Sequence, residues 1–491
     1  MVRRDGGAPL LPGVNCYRVE TATRASVIID ADDYFRVARA AMLKAKKRIV
    51  LIGWDFDARI RLGAPTNDGA PEKVGDFIYW LVQQNPELEV FLLRWDLGAL
   101  KMLARGSTIF TVFKWMSHRR IHTKLDGAHP PAASHHQKIV VIDEALAFCG
   151  GIDMTEDRWD TRDHIHEDPR RVRPNGKPHK PWHDATTALE GPIARTLADI
   201  ARDRWITAGG RPMPELGKQQ SPWPDALDAQ FVDVPIAVSR SAPEIDGRPS
   251  VLEIEHLYLD QIARAKRYIY AESQYFASRR VAEAMAKRLQ EADGPEIVVI
   301  NPDSAQGWLE PLAMDTARAR LYQALNRLDT HGRFRIYTPV TSGGEPIYVH
   351  AKILIIDDEV VRIGSSNLNN RSMRLDTECD VTIDATFAQN EAVSETVRAI
   401  RNSLLGEHLA VSPDILEREV NARGLIGAIE GLRNNGKSLV PYAPEDLSAV
   451  EAWLADHEVL DPEGPEEIFE AFTKRGLFRR LRKPKINLGR P

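Results

Sequence analysis

Two octapeptides constrain this chain more than anything else in it. His136–Asp143 reads HQKIVVID, and His350–Asp357 reads HAKILIID. One H-x-K-x-x-x-x-D match would be a weak signal. Here each copy is followed, at the same distance, by a glycine-led tetrapeptide: GGID at Gly150–Asp153 and GSSN at Gly364–Asn367. Further stretches align across the two copies, Arg48–Asp57 with Arg267–Phe276 and Asp184 with Glu378. The chain is therefore a tandem repeat of one domain-sized unit. The first copy carries extra residues after its motif, a polar insert at 155–183 holding Arg170, Arg171, Arg173, Lys177 and Lys180.

Each copy alternates short β-branched runs with amphipathic helical patterns, which predicts an α/β sheet. In the first copy these are a short strand at Ser26–Ile29, a helix starting at Asp32, and buried strands at Arg48–Phe56 and Leu88–Trp95. A helix is expected across Leu97–Met116, and strands in both motifs. Residues 1–22 read as an arm, 23–208 as a first domain, 209–230 as a Gly/Pro-rich linker and 231–410 as a second domain. Residues 411–491 read as a helical extension that ends in a basic tail.

At 491 residues the chain is too long for a single core. A net charge of −5 argues against a general nucleic-acid-binding surface. The three cysteines, Cys16, Cys149 and Cys379, are too scattered for a disulfide framework or a metal site and read as buried apolar residues. No apolar run is long enough to span a bilayer, and the first residues lack a signal-peptide core. A cytoplasmic or peripheral membrane protein is expected, with leaderless secretion left open. Seven acids within 456–470 precede eight bases within 474–490. That tail reads as a solvated segment, an anionic-membrane contact or a nucleic-acid contact.

The repeated residues suit one chemistry. Splitting a phosphodiester without a metal needs a nucleophile that can hold a phosphoryl group, an acid for the leaving oxygen, and positive charge on the remaining oxygens. Imidazole can fill the first two roles near neutral pH. His136 and Lys138 lie two apart on a strand and share a face, as do His350 and Lys352. Asp184 and Glu378, on apolar strands, are candidates to orient the two histidines, with Glu378 expected behind His350. Asp143 and Asp357 complete the motifs and stand with the histidines and lysines among the catalytic candidates, although their odd spacing turns them to the opposite face and favours a turn-fixing role.

The paired motifs, together with HHQKIVVID, AFCGGIDM, RWDTRDH, PWHD, YAESQYF and the GSSNLNNRSM…DTE run, resemble the phospholipase D superfamily, and phospholipases D proper above its distant branches. The resemblance covers roughly residues 25–405. It implies two tandem phospholipase D-type α/β sandwich domains with pseudo-two-fold symmetry and one active site between them. It implies His136 as nucleophile, His350 as acid and Asn367 as a further active-site residue, with Asp153 in the matching position of the first copy. Asp153, Ser365, Gly150 and Gly151 become candidates for substrate binding. Ser273 stands where the family usually has Asn.

The expected reaction is hydrolysis of a glycerophospholipid such as phosphatidylcholine to phosphatidic acid and free alcohol, through a phosphohistidine. Transphosphatidylation would follow when an alcohol replaces water. The alternatives are a cardiolipin synthase-like phosphatidyltransferase, a nuclease, and a non-catalytic lipid- or phosphate-binding scaffold. The expected partner is phospholipid at a membrane surface, with no nucleic acid, no cofactor, no metal and a monomeric chain. His135 reads as structural, and His183 as structural or cleft-lining. His164 and His166, with Glu167 and Asp168, read as a surface loop in preference to a metal cluster. Trp54, Trp95 and Trp182 read as core residues in preference to lipid contacts.

Overall fold

The computed structural model describes residues 9–63, 68–96, 114–115, 117–130, 133–305, 314–388 and 391–444. Most of the expected helix at Leu97–Met116, together with the acidic block and the basic tail, lies outside the described residues.

The first copy comprises β1 (Arg18–Ile29), α1 (Ala31–Leu43), β2 (Arg48–Gly53), α2 (Val74–Gln84), β3 (Glu89–Trp95), β4 (Ile121–Asp126), β5 (Ile139–Ile142), β6 (Leu146–Gly150), β7 (Trp182–His183), β8 (Ala185–Glu190) and α3 (Pro192–Thr207). The second opens with β9 (Phe231–Ala242), β10 (Val251–Leu252), α4 (Glu253–Arg264), β11 (Tyr268–Glu272), α5 (Arg279–Leu289), β12 (Glu296–Ile300), α6 (Thr316–Leu328) and β13 (Phe334–Val340). It continues through β14 (Tyr348–Val349), β15 (Ile353–Ile356), β16 (Val360–Gly364), β17 (Glu378–Asp384) and α7 (Glu391–Leu409) to α8 (Pro413–Leu432) and β18 (Ser438–Pro441).

The two copies merge into one sheet, ordered β18-β13-β12-β11-β15-β16-β17-β9-β1-β8-β6-β5-β2-β3-β4. The centre is the antiparallel pair β1 and β9. Reading outward from it gives the same strand succession on both sides, the pseudo-two-fold that the repeat predicts. Alternate side chains fill two layers. Ile49 and Leu51 face the core under α1 and α2, while Val50 and Ile52 join the core under α3. In the second copy Ile269 and Ala271 pack under α4 and α5, and Tyr268 and Tyr270 face the core shared with α7 and α8.

Two boundaries and one alignment differ from the sequence reading. The arm ends earlier, because Arg18–Ala25 pairs with Phe231–Val238 of the other copy. That partner is remote in sequence, and the exposed residues of this stretch carry no apolar alternation to announce it. The C-terminal extension is not wholly helical, since β18 returns to the sheet edge against β13. Finally, Ile49 pairs with Ile142 as Ile269 pairs with Ile356, which sets Ile49 against Ile269. The alignment of Arg48–Asp57 with Arg267–Phe276 is therefore out by one residue, enough to exchange the faces of every side chain.

The two motif aspartates hold the sheet together at the end remote from the histidines. Asp143 accepts hydrogen bonds from the amides of Lys46, Lys47 and Arg48 at 2.6, 2.7 and 2.8 Å. Asp357 accepts from Lys266, Arg267 and Tyr268 at 2.6, 2.7 and 2.9 Å. Both sit in tight hairpin turns with φ of 52° and 54°, a region Asp tolerates better than most residues. The place of Asp143 and Asp357 among catalytic candidates is therefore corrected to turn-fixing. Asp357→Asn leaves one side-chain oxygen for three backbone amides, one buried and two partly buried, and should cost about 2–3 kcal/mol. A denaturant titration should show the lowered midpoint, with turnover per folded molecule retained.

Candidate active site

The chain entering each motif is strapped to the opposite copy. The amide of His136 donates to the Thr377 carbonyl at 2.9 Å, and the Thr377 amide donates to Ser134 at 3.0 Å. In the other copy β14 pairs in parallel with β7, and the amide of His350 donates to the His183 carbonyl at 2.8 Å. Each histidine is thereby laid beside the residue that precedes the other copy's acid, Thr377 before Glu378 and His183 before Asp184. The Nδ1 of His136 lies 3.0 Å from both carboxylate oxygens of Glu378. The Nδ1 of His350 lies 2.6 Å from Oδ2 of Asp184. The expected pairing of Glu378 with His350 is thus reversed: each acid serves the histidine of the other copy.

Both acids are fully buried and held. Ser365 and Ser372 donate to Glu378 at 2.5 and 2.7 Å, and the Ala185 amide donates to Asp184 at 2.8 Å. Burial pushes the Glu378 carboxyl well up, reinforced by the charge of Asp376. Asp184 is also raised by burial, against the pull of Lys352. Burial lowers both imidazoles, and the neighbouring lysines lower them further. One proton between Nδ1 and each carboxylate fixes the tautomer and leaves Nε2 for the substrate.

The lysines are held differently. The Nζ of Lys138 lies 3.0 Å from Asp153 and 3.1 Å from the His136 carbonyl. The Nζ of Lys352 donates to the His350 carbonyl and lies 3.4 Å from Oε1 of Gln274. Burial, then Lys138, lowers Lys352 to about 7 against the attraction of Asp184. Asn367 contacts Gln274 through Nδ2 at 3.5 Å, while its buried Oδ1 has no hydrogen-bond partner among the described residues.

The expected substrate-binding residues serve other ends. Ser365 is buried and spends its hydroxyl on Glu378. Asp153 anchors Lys138, and its negative charge would repel a phosphate. A Cβ at Gly150 would fall 2.3 Å from the Thr186 Cα, and one at Gly151 would fall 2.2 Å from Oδ1 of Asp184. Gly150 is therefore required by close strand packing, and Gly151 by the approach of the Asp184 carboxylate.

Two site residues escape the sequence reading. Gln274, in the YAESQYF stretch, touches both Lys352 and Asn367. Arg158, in RWDTRDH, lies 4.2 Å over the Trp182 ring, which is itself 5.0 Å from the His350 ring. Each lies inside a stretch carrying the family resemblance, the one signal that could have found them. Trp182 also stacks on Tyr348 at 4.6 Å, at the edge of a cavity of about 430 Å³ walled by Arg173, His179 and Lys180 of the insert. Trp54 and Trp95 stack on each other at 5.5 Å.

His135 is buried against Thr377, a structural role as expected. His183 is also fully buried and is not cleft-lining. His164 contradicts its reading as a surface residue, being 1% exposed. Ion pairing with acids from distant segments makes that burial affordable, and local polarity gives no sign of it. The three cysteines are buried and unpaired.

Comparison with known proteins places this geometry. A family model described as "Phospholipase D" matches residues 41–230, and one described as "Cardiolipin synthase, PLD-like domain" matches 258–401. Phospholipase D alpha 1 of Zea mays is 24% identical over 58% of this chain and 50% of its own length. Phospholipase D1 of Schizosaccharomyces pombe is 25% identical over 83% of this chain and 37% of its own. The chain thus spans half or less of these curated relatives. The crystal structure of phosphatidylserine synthase from Haemophilus influenzae Rd KW20 matches with a TM-score of 0.54 at 14% identity, covering 78% of this chain and 86% of that one. That likeness is one of fold.

Proposed function

The chain belongs to the phospholipase D superfamily, and on that premise we propose that it is a phospholipase D acting on glycerophospholipids such as phosphatidylcholine. The observation that carries this reading is the pair of histidines, each with its Nδ1 on a buried carboxylate of the opposite copy and with a lysine beside it. His136 attacks phosphorus through Nε2, and the bond to the head-group oxygen breaks. His350 enters this step as the imidazolium, with a second proton on Nε2, and donates that proton to the departing oxygen. The phosphatidyl group then rests on His136 until water, activated by His350, displaces it as phosphatidic acid. This order of roles follows the family resemblance of the two motifs. Lys138, Lys352 and the amide of Asn367 hold the phosphoryl oxygens.

No helix among the described residues is long and apolar enough to cross a membrane. Substrate would be met at a bilayer surface, with the free alcohol leaving into water. The family model over the second copy, described as "Cardiolipin synthase, PLD-like domain", favours one second reading, a phosphatidyltransferase that passes the same intermediate to an alcohol.

Incubation with phosphatidylcholine vesicles and ethanol tests both. Phosphatidic acid plus phosphatidylethanol, lost in His136→Ala, supports the phospholipase D. Transfer to alcohols without hydrolysis supports the second reading, and inert vesicles would overturn both. The lowered Lys352 adds a pH dependence. Its charge is present below about 7 and disappears as pH rises through that value, so kcat/KM should fall on the alkaline side. Lys352→Arg, which stays charged, should extend activity to higher pH in a kcat/KM profile.

A further inference from the structure

Behind Asp184 lies a second cluster of chemically capable side chains, none of which the proposed reaction uses. Asp30 at the end of β1, His164 in the insert, His183 in β7 and Glu407 in α7 come from four distant segments, and all are buried. Each offers one ligand atom, and these atoms all lie within 4.8 Å of one another. Nδ1 of His183 is 3.1 Å from Asp30 and 2.9 Å from Glu407. Nε2 of His164 is 3.4 Å from Asp30 and 3.1 Å from Glu407. Four ligands at the roughly 2.0–2.1 Å bond length of zinc stand about 3.3 Å apart along the edges of a tetrahedron. The four nitrogen–oxygen separations, in which Asp30 presents Oδ1 to His183 and Oδ2 to His164, scatter about that value.

Two further observations point to a cation at the centre. Despite its close neighbours, Nδ1 of His183 makes no hydrogen bond of acceptable angle, and Oδ2 of Asp30 has no hydrogen-bond partner among the described residues. The other nitrogen of each histidine is also held by a carboxylate. Nδ1 of His164 lies 3.0 Å from Asp160, and Nε2 of His183 lies 2.7 Å from Glu272. Carboxylate–histidine pairs of this kind fix the tautomer that leaves the opposite nitrogen free to bind a metal. Asp160 is in turn met by Arg171 at 3.2 Å, and Glu272 by His408 at 3.2 Å and by the Tyr270 hydroxyl.

We propose that Asp30, His164, His183 and Glu407 form a closed, four-coordinate zinc site that is structural. It offers no open position to substrate and so takes no part in the phosphoryl chemistry. Its effect is to bind the end of α7 to three segments of the first copy. It also steadies Asp184, whose amide donates to Oδ1 of Asp30 at 3.0 Å, and through it His350.

The test uses the full chain, stripped by chelator and reloaded with zinc or with cobalt as a spectroscopic substitute. The expected results are one equivalent of zinc by mass spectrometry, a melting temperature that falls on stripping and recovers on reloading, and the intense visible bands of tetrahedral cobalt. His164→Gln and Glu407→Gln should lose that equivalent, while His166→Gln, outside the set and 36% exposed, should keep it. Absence of bound zinc after reloading overturns the proposal, as does an equivalent that persists in both variants. Where the variants fail to fold, the cobalt spectrum of the unaltered chain decides: weak octahedral bands overturn the site.

Discussion

Replacing His136 with alanine is expected to lower kcat/KM on phosphatidylcholine vesicles by at least about ten-thousand-fold, the scale on which loss of a nucleophile is felt. The ring is held by Glu378, and its Nε2 is the atom proposed to form the bond to phosphorus. His350→Ala should be as damaging for phosphatidylcholine, whose choline oxygen is a poor leaving group without a proton. The two variants part on a substrate with a good leaving group, such as a p-nitrophenyl phosphodiester. There His350→Ala should still release nitrophenol in a single burst and leave a phosphohistidine on His136, detectable by mass spectrometry. His136→Ala should give neither burst nor adduct. An adduct on His350 would reverse the assignment of roles.

The second large effect concerns the acids and their crossed pairing. Glu378→Gln and Asp184→Asn should each reduce kcat by about a hundred- to ten-thousand-fold, because an amide neither fixes the required tautomer nor stabilises the imidazolium. The phenotypes should follow the contacts and not the sequence order. Glu378→Gln removes the support of His136, so the burst with an activated substrate should slow in proportion to the loss of turnover. Asp184→Asn removes the support of His350, so the burst should survive while turnover of the intermediate stalls. The opposite assignment would show that the copies do not exchange their acids in solution. Glu378 is the more firmly held of the two, by two serine hydroxyls, so Ser365→Ala should mimic a milder Glu378→Gln.

Much of the fold is legible because the repeat does the work of an alignment. The motif strands, the β-branched runs at Arg48 and Tyr268 and the intervening helices follow from local periodicity. The pairing of His136 and His350 across one pseudo-two-fold follows from duplication. Failures share one cause: each depends on a partner far along the chain. β1 begins at Arg18 because β9 lies beside it, and β18 exists because β13 offers an edge. His164 is polar, sits in a polar insert and is nonetheless buried, because Asp30 and Glu407 arrive from elsewhere to meet it.

The sequence by itself singled out the candidates for the chemistry: two histidines and two lysines by their repeated spacing, two acids by their matched positions, and Asn367 through the family resemblance. It also favoured a turn-fixing place for Asp143 and Asp357, whose odd spacing turns them away from the face of the histidines, and the hydrogen bonds to three backbone amides decided it. Only the tertiary structure decided who supports whom. Parallel pairing of β7 with β14, and of Thr377 with the approach to His136, carries each acid past its own histidine and sets it behind the other. Spacing along one strand is set by covalent geometry and can be read from the order of residues. Contact between copies is set by how two sheets join, which the order of residues within either copy does not record.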